Sequence, residues 1–248
     1  MIELWHEWNS VHSFKVRVVL AEKGVQWIDR RVELLKFEHL SPDYLKLNPK
    51  GVVPTLVHSG APVYESTQIC HYLEKLCPHP RLARDDAEKW LTAFDSLAHP
   101  AIRGISFQLI YRPLLRSLDA AELEKRLAVH PDPKRAHAFR QAVTAPMDES
   151  VIEAAIDDFR KLIRDINTSM SGRWLSGNEF GLADVAMAPF AERLNHLGLA
   201  ALFTDSAKVW MLKVLERKSV QQSQAPPEHR FPGPDPLEVE RWIRGAAG

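Results

Sequence analysis

The chain has 248 residues, 45% of them hydrophobic, enough for one large domain or two small ones around an ordinary core. Lys+Arg and Asp+Glu both number 32, so nothing in the charge balance recruits DNA, RNA or an anionic membrane. No apolar run approaches the roughly 20 residues that span a bilayer, and MIELWHEW carries acids where a secretory signal carries basic residues, so a soluble cytoplasmic protein is expected.

In chain order, IELWH (2–6) is short, β-prone and alternating, whereas FKVRVVLAEKG (14–24) spaces its apolar residues for a helix that stops at Gly24. QWIDRRVEL (26–34) alternates as a strand, and SPDYLKLNP (41–49) opens with an N-cap serine and a proline at the first helical position. TLVHSGAPVYE (55–65) reads as two strands around Ser59-Gly60. STQICHYLEKLC (66–77) reads as a helix capped by Ser66, with Ile69, Tyr72, Leu73 and Leu76 on one face. The order βαβαββα predicts a mixed sheet with helices on its faces. Cys70 and Cys77 have neither a CxxC nor a zinc-ligand spacing, so both read as structural, and no metal is expected. With no cysteine between residues 6 and 17, thiol–disulfide exchange lacks its nucleophile at the strand–helix turn.

Three places carry chemistry. A cis bond at Val53-Pro54 would leave the Val53 backbone free to pair with an extended peptide. Ser66 opens a helix whose free N–H groups favour a carboxylate, while Glu65 can hold an ammonium, so an amino-acid-shaped zwitterion fits there. Taken singly, Pro54 could end a loop, Ser66 could be only a cap and Glu65 a solvated acid. In NSVHSF, Ser10 and Ser13 lie where strand gives way to helix, and both could simply cap it.

GVVPTLVHSGAPVYESTQICHYLE (51–74) resembles the second half of the thioredoxin-like domain of glutathione S-transferases, and KVRVVLAEKG resembles that domain's first helix. WLSGNEFGLADVAMAPF (174–190) is similar to the family's helical-domain signature, so the resemblance spans most of the chain. It implies an α/β thioredoxin-like domain over 1–78 that binds glutathione as co-substrate through Asn9, His39, Val53, Pro54, Glu65 and Ser66. An all-α domain over 86–248 would then hold a small hydrophobic electrophile. It also implies a homodimer. Counted back from LAEKG, Ser10 falls where theta- and zeta-like members have a thiol-activating serine and omega-like ones a cysteine. Ser13 falls where β-etherases place a serine near the sulfur; Ser10 is the first candidate and Asn9 its helper. His12 is expected beside the cleft without acting as a base. Val52 stands where several relatives have a lysine or glutamine for the glycine carboxylate, so Lys50 or Lys36 would have to substitute.

Beyond LCPHPRLARDD (76–86), a linker by its prolines and charges, the pattern is almost wholly helical. Residues 90–118 read as one helix or two, interrupted near His99-Pro100 and at Pro113. Phe107 and Tyr111 on it read either as plain core or as the wall that the resemblance assigns to the electrophile. Residues 119–163 have a helix, a break at HPDP and a further helix, a layout loosely similar to bacterial lignin β-aryl etherases. Asp184 in GLAD is expected to cap a helix from inside although Gly181 replaces the usual hydroxyl residue. The proline-rich tail should end in a helix over 236–245, with Leu237, Val239, Trp242 and Ile243 on one face, placed to cover the cleft.

Overall fold

The alternation of IELWH becomes β1 (Ile2–His6), buried at Ile2, Leu4 and His6 in the computed structural model. The structure describes residues 1–84, 86–130 and 132–245; Asp85 of the linker, Pro131 of the HPDP break and residues 246–248 of the tail lie outside them. Helix α1 (Val11–Glu22) begins three residues before the apolar spacing does, because Ser10 caps it: its Oγ accepts the Ser13 N–H at 3.2 Å. Strand β2 (Ile28–Arg31) runs parallel to β1, while β3 (Thr55–His58) is antiparallel to β1 and β4 (Ala61–Tyr64) antiparallel to β3. The sheet order is β2-β1-β3-β4. Ser59 and Gly60 turn the β3–β4 hairpin with φ of 50° and 85°, the left-handed pair that matches strand twist. Helix α2 (Pro42–Leu47) starts at its Ser41 cap, and α3 (Ser66–Leu76) packs beside α1.

The helical part opens with α4 (Ala87–Ala93), α5 (His99–Ser106) and α6 (Arg112–Arg116), joined without a break through wider turns at Phe94–Ala98 and Phe107–Tyr111. The expected interruptions at Pro100 and Pro113 are therefore π turns and not helix ends. Each proline lacks an N–H and stands in the first turn after such a widening, where the regular bond is not demanded of it. Then come α7 (Ala120–Ala128), α8 (Pro133–Thr144), α9 (Glu149–Ser169), α10 (Leu182–His196), α11 (Asp205–Glu216), α12 (Lys218–Gln222) and α13 (Pro236–Gly245). Helix α10 is the hub, packing on α1, α4 and α11. Asp184, fully buried, accepts the Gly181 N–H at 3.0 Å, the Leu175 N–H at 2.9 Å and the Trp210 indole N–H at 2.8 Å. Half of the capping box thus survives the loss of the hydroxyl.

In α13, Val239 and Trp242 are buried but Leu237 is 75% exposed. Two residues are about 200° on a helix, so Leu237 points away from the face that Val239 begins. That face packs on α9, and Val239 meets Gly198. The segment that reaches the β1–α1 loop is the strap before it, residues 226–231.

Candidate functional site

Two helix N-termini meet here. Helix α1 starts after Ser10 and α3 starts at Ser66, and His12 Nδ1 lies 2.9 Å from Ser66 Oγ. Ser66 is the first residue of α3, not its cap; that place falls to Glu65, held at φ 69°, a left-handed conformation costly for a residue with a Cβ. The Glu65 carboxylate takes the Lys50 ammonium at 2.6 Å. Lys36 pairs with Glu33, so both lysines expected to stand in at the glycine carboxylate have carboxylate partners already.

The Val53-Pro54 bond is cis. The β1–β3 ladder ends at Thr55, which leaves the Val53 backbone beyond the last paired residue. The loop is braced from below. Tyr44 Oη donates to Val52 O at 2.7 Å, and Asn48 Nδ2 donates to Val52 O and to Thr55 Oγ1 at 2.9 and 3.1 Å. Burial pushes the Tyr44 phenol up to about 12, so it stays a donor. Tyr44 and Asn48 were missed in the sequence; SPDYLKLNP shows a helix, with nothing to say what it supports.

Ser10 and Ser13 differ sharply. Ser10 is half-buried at the mouth of a small cleft with Trp8, Val11 and Arg193; capping uses one lone pair, and its O–H remains available as a donor. Ser13 is fully buried and its Oγ has no hydrogen-bond partner. The loop ahead of Ser10 is pinned by two guanidinium groups. Arg17 donates to Glu7 O and Trp8 O at 3.3 and 2.9 Å, and Arg193 donates to Asn9 O at 2.6 Å.

Asn9, expected to help at the ligand, is spent elsewhere. Its Nδ2 donates to His229 O at 2.7 Å and its Oδ1 accepts the Phe231 N–H at 2.9 Å, so it fastens the strap. His39 also departs from expectation. It stacks on Phe37, faces His130 and Arg135, and is held down to about 4 by burial and those two neighbours, in that order. A neutral, inward-facing imidazole is a poor partner for a carboxylate.

Beyond Glu7 lies a cavity of about 300 Å³, walled by Leu35, Leu118 and Phe231 with Glu7, Arg31 and Arg126. Tyr111 stands one layer back, edge-on to Phe231 at 5.6 Å, and Phe107 packs with Phe139 in the cluster around Phe37. Of the two aromatics expected to line a co-substrate wall, Tyr111 therefore backs this cavity and Phe107 packs in the neighbouring cluster. One tie between the two parts of the chain lies at Lys15: its ammonium, without exposure, donates to Thr67 Oγ1 at 2.9 Å and lies 3.5 Å from Asp95. Cys70 is buried and its thiol pushed up to about 11, which makes it inert as a nucleophile. Among the described residues no group of three or more His, Cys, Asp or Glu could hold a metal ion, and no helix is long and apolar enough to cross a membrane.

Comparison with known proteins fits this geometry. Residues 9–76 match the family model of the glutathione S-transferase N-terminal domain and residues 126–217 that of the C-terminal domain. Glutathione S-transferase 1 of Dianthus caryophyllus is 30% identical over 177 residues, covering 71% of this chain and 70% of the relative. A stringent starvation protein A homolog of Pasteurella multocida (strain Pm70) is 29% identical over 231 residues, 90% of each chain. Among solved structures, the β-etherase LigF from Sphingobium sp. strain SYK-6 superposes with a TM-score of 0.78 at 22% identity, covering 90% of this chain and 98% of that one, a likeness of fold. With both domain models matched and a transferase at 30% identity covered over 70% of its length, the chain belongs to the glutathione S-transferase family.

Proposed function

We propose that the protein is a glutathione transferase that joins the glutathione sulfur to an electrophilic carbon of a small, apolar, aromatic molecule. The observation that carries this reading is the meeting of the α1 and α3 N-termini, with Ser10 at one and the strained Glu65-Ser66 pair at the other. The γ-glutamyl carboxylate would sit at Ser66 and the amide groups of α3, its ammonium at Glu65 in place of Lys50, and its backbone along Val53. A peptide thiol has a pKa of about 8.5. Donation from the Ser10 O–H and the positive end of α1 favour the thiolate. The thiolate forms an S–C bond while the leaving group departs with its electron pair. For a β-aryl ether the C–O bond breaks and the phenolate takes a proton from water.

A non-catalytic, glutathione-binding or structural protein of the same fold is the second reading. What favours it is that similar relatives carry both transferase and stringent starvation protein A names. Glutathione-agarose retention followed by a thioether-forming assay separates the two: retention with turnover supports the transferase, and retention without turnover of chlorodinitrobenzene or a β-aryl ether ketone supports the binder. Within the transferase reading, Ser10→Ala should raise the bound thiol's pKa and lower kcat/KM about ten- to a hundredfold, whereas Ser13→Ala should leave both unchanged. A shift confined to Ser13→Ala would reverse that assignment.

A further inference from the structure

The Ser66 hydroxyl has one proton, and where it points decides whether it can serve a carboxylate. Among the described residues its hydrogen-bond neighbour is His12, and the two are close enough, at 2.9 Å between Nδ1 and Oγ, for one to donate to the other. If Ser66 donated to the ring, it would turn only lone pairs toward an incoming anion. If the ring donates to Ser66, the serine proton is released toward the space in front of α3.

We propose that His12 is a positioning residue for glutathione: its Nδ1–H holds the Ser66 oxygen so that the Ser66 proton faces the γ-glutamyl carboxylate. The proposal rests on the transferase reading above and names a residue which that reading does not use. The surroundings of the ring fit the role. Phe94 stands edge-on to it at 5.6 Å and His99 lies against it at 4.0 Å between centroids, so the imidazole is clamped on the side of the helical domain. Burial first, then the nearby His99 and Lys15, keep it well below the ordinary histidine range. It is thus neutral near pH 7, able to donate through one nitrogen without placing a second cation beside the Lys50–Glu65 pair. Ser66, at 5% exposure, has little freedom to find another partner. His12 touches Ser66, at the γ-glutamyl end of the proposed site, so its effect should fall on binding and spare the chemical step.

Two substitutions separate a hydrogen bond from packing. His12→Phe keeps a ring against Phe94 and His99 but removes the donor; His12→Asn loses the ring but sets an amide N–H where Nδ1 stood. Glutathione affinity is read by titration calorimetry, with Ser66→Ala and the double variant alongside. His12→Phe should weaken glutathione about tenfold, His12→Asn should remain within about threefold of wild type, and His12→Phe should add nothing in the Ser66→Ala background. Turnover at saturating glutathione should be unchanged in His12→Phe. Wild-type affinity in His12→Phe, or equal loss in His12→Phe and His12→Asn, overturns the role of His12 while leaving the transferase reading intact. Failure of the wild-type protein to bind glutathione overturns the transferase reading, and the proposal falls with it.

Discussion

Removing the Asn9 side chain tests whether the strap is fastened where the structure puts it. Asn9→Ala deletes two hydrogen bonds to the strap, 2.7 Å to His229 O and 2.9 Å from the Phe231 N–H, besides a longer one to Glu7 within its own loop. At about 1 kcal/mol net each, the loss is about 2 kcal/mol, or roughly thirtyfold in the ratio of lifted to seated strap. The contacts of Phe231 with Tyr111 and of Arg230 with Glu192 and His196 remain, so the strap should stay mostly seated. Arg230 offers a direct readout, because trypsin can cleave after it only when the strap lifts. With opening faster than cleavage, the cutting rate follows the open population and should rise about thirtyfold. Cleavage within threefold of wild type, in a variant that melts normally, would refute the clamp. Since Phe231 walls the 300 Å³ cavity, the same variant should raise the KM of the co-substrate and leave that of glutathione unmoved.

Other expectations follow from single residues. Burial raises the Asp184 carboxyl to about 6 from an ordinary 3.8, so the folded state holds the proton more tightly. The stability this group contributes is therefore full below about pH 4 and lost as pH rises through about 6, a difference of up to about 3 kcal/mol. Asp184→Asn cannot titrate, so its deficit against wild type in urea melts should shrink between those pH values; a constant deficit would show that Asp184 keeps its ordinary pKa. Ser13→Ala removes a buried, partnerless hydroxyl and should stabilise the fold by about 1 kcal/mol in the same melts. A loss of stability would mean that this oxygen has a partner, such as water. Light scattering at micromolar concentration should give twice the chain mass, and a monomer would remove the dimer expectation.

What the sequence made legible was local. The strands, the helix starts at Ser41 and Ser66 and the Val53-Pro54 and Glu65-Ser66 pairs are set by residues within a few positions of one another. What stayed hidden joins distant positions. Asn9 has nothing in its neighbourhood to say that its amide would be claimed by residues 229 and 231, and no periodicity brings His12 to Ser66 or Lys15 to Asp95. Side-chain roles were therefore harder to read than backbone ones. Ser10 could be read as a cap or as the group facing the thiol, and the structure shows its oxygen capping α1. Glu65 at positive φ has no signature either, because that conformation ordinarily calls for Gly, Asn or Asp. The misplaced Leu237 is a different case, since the arithmetic of the helix already turned it away from Val239.

The latch at Lys15 reaches beyond the site. Its ammonium is without exposure, and the anion nearest it, Asp95, belongs to the helical half of the chain. The apolar interior is likewise continuous, running from Leu4, Val16 and Leu73 to Trp90, Phe94 and Val185. A fragment cut at the linker would leave Lys15 without that counter-charge and expose the faces of α1 and α3 that the helical half covers. The thioredoxin-like half should consequently not survive as an autonomous module, and the whole chain should unfold in one cooperative transition. Exchange of halves between relatives would succeed only where the incoming helical half brings an acid at the position of Asp95 to meet Lys15.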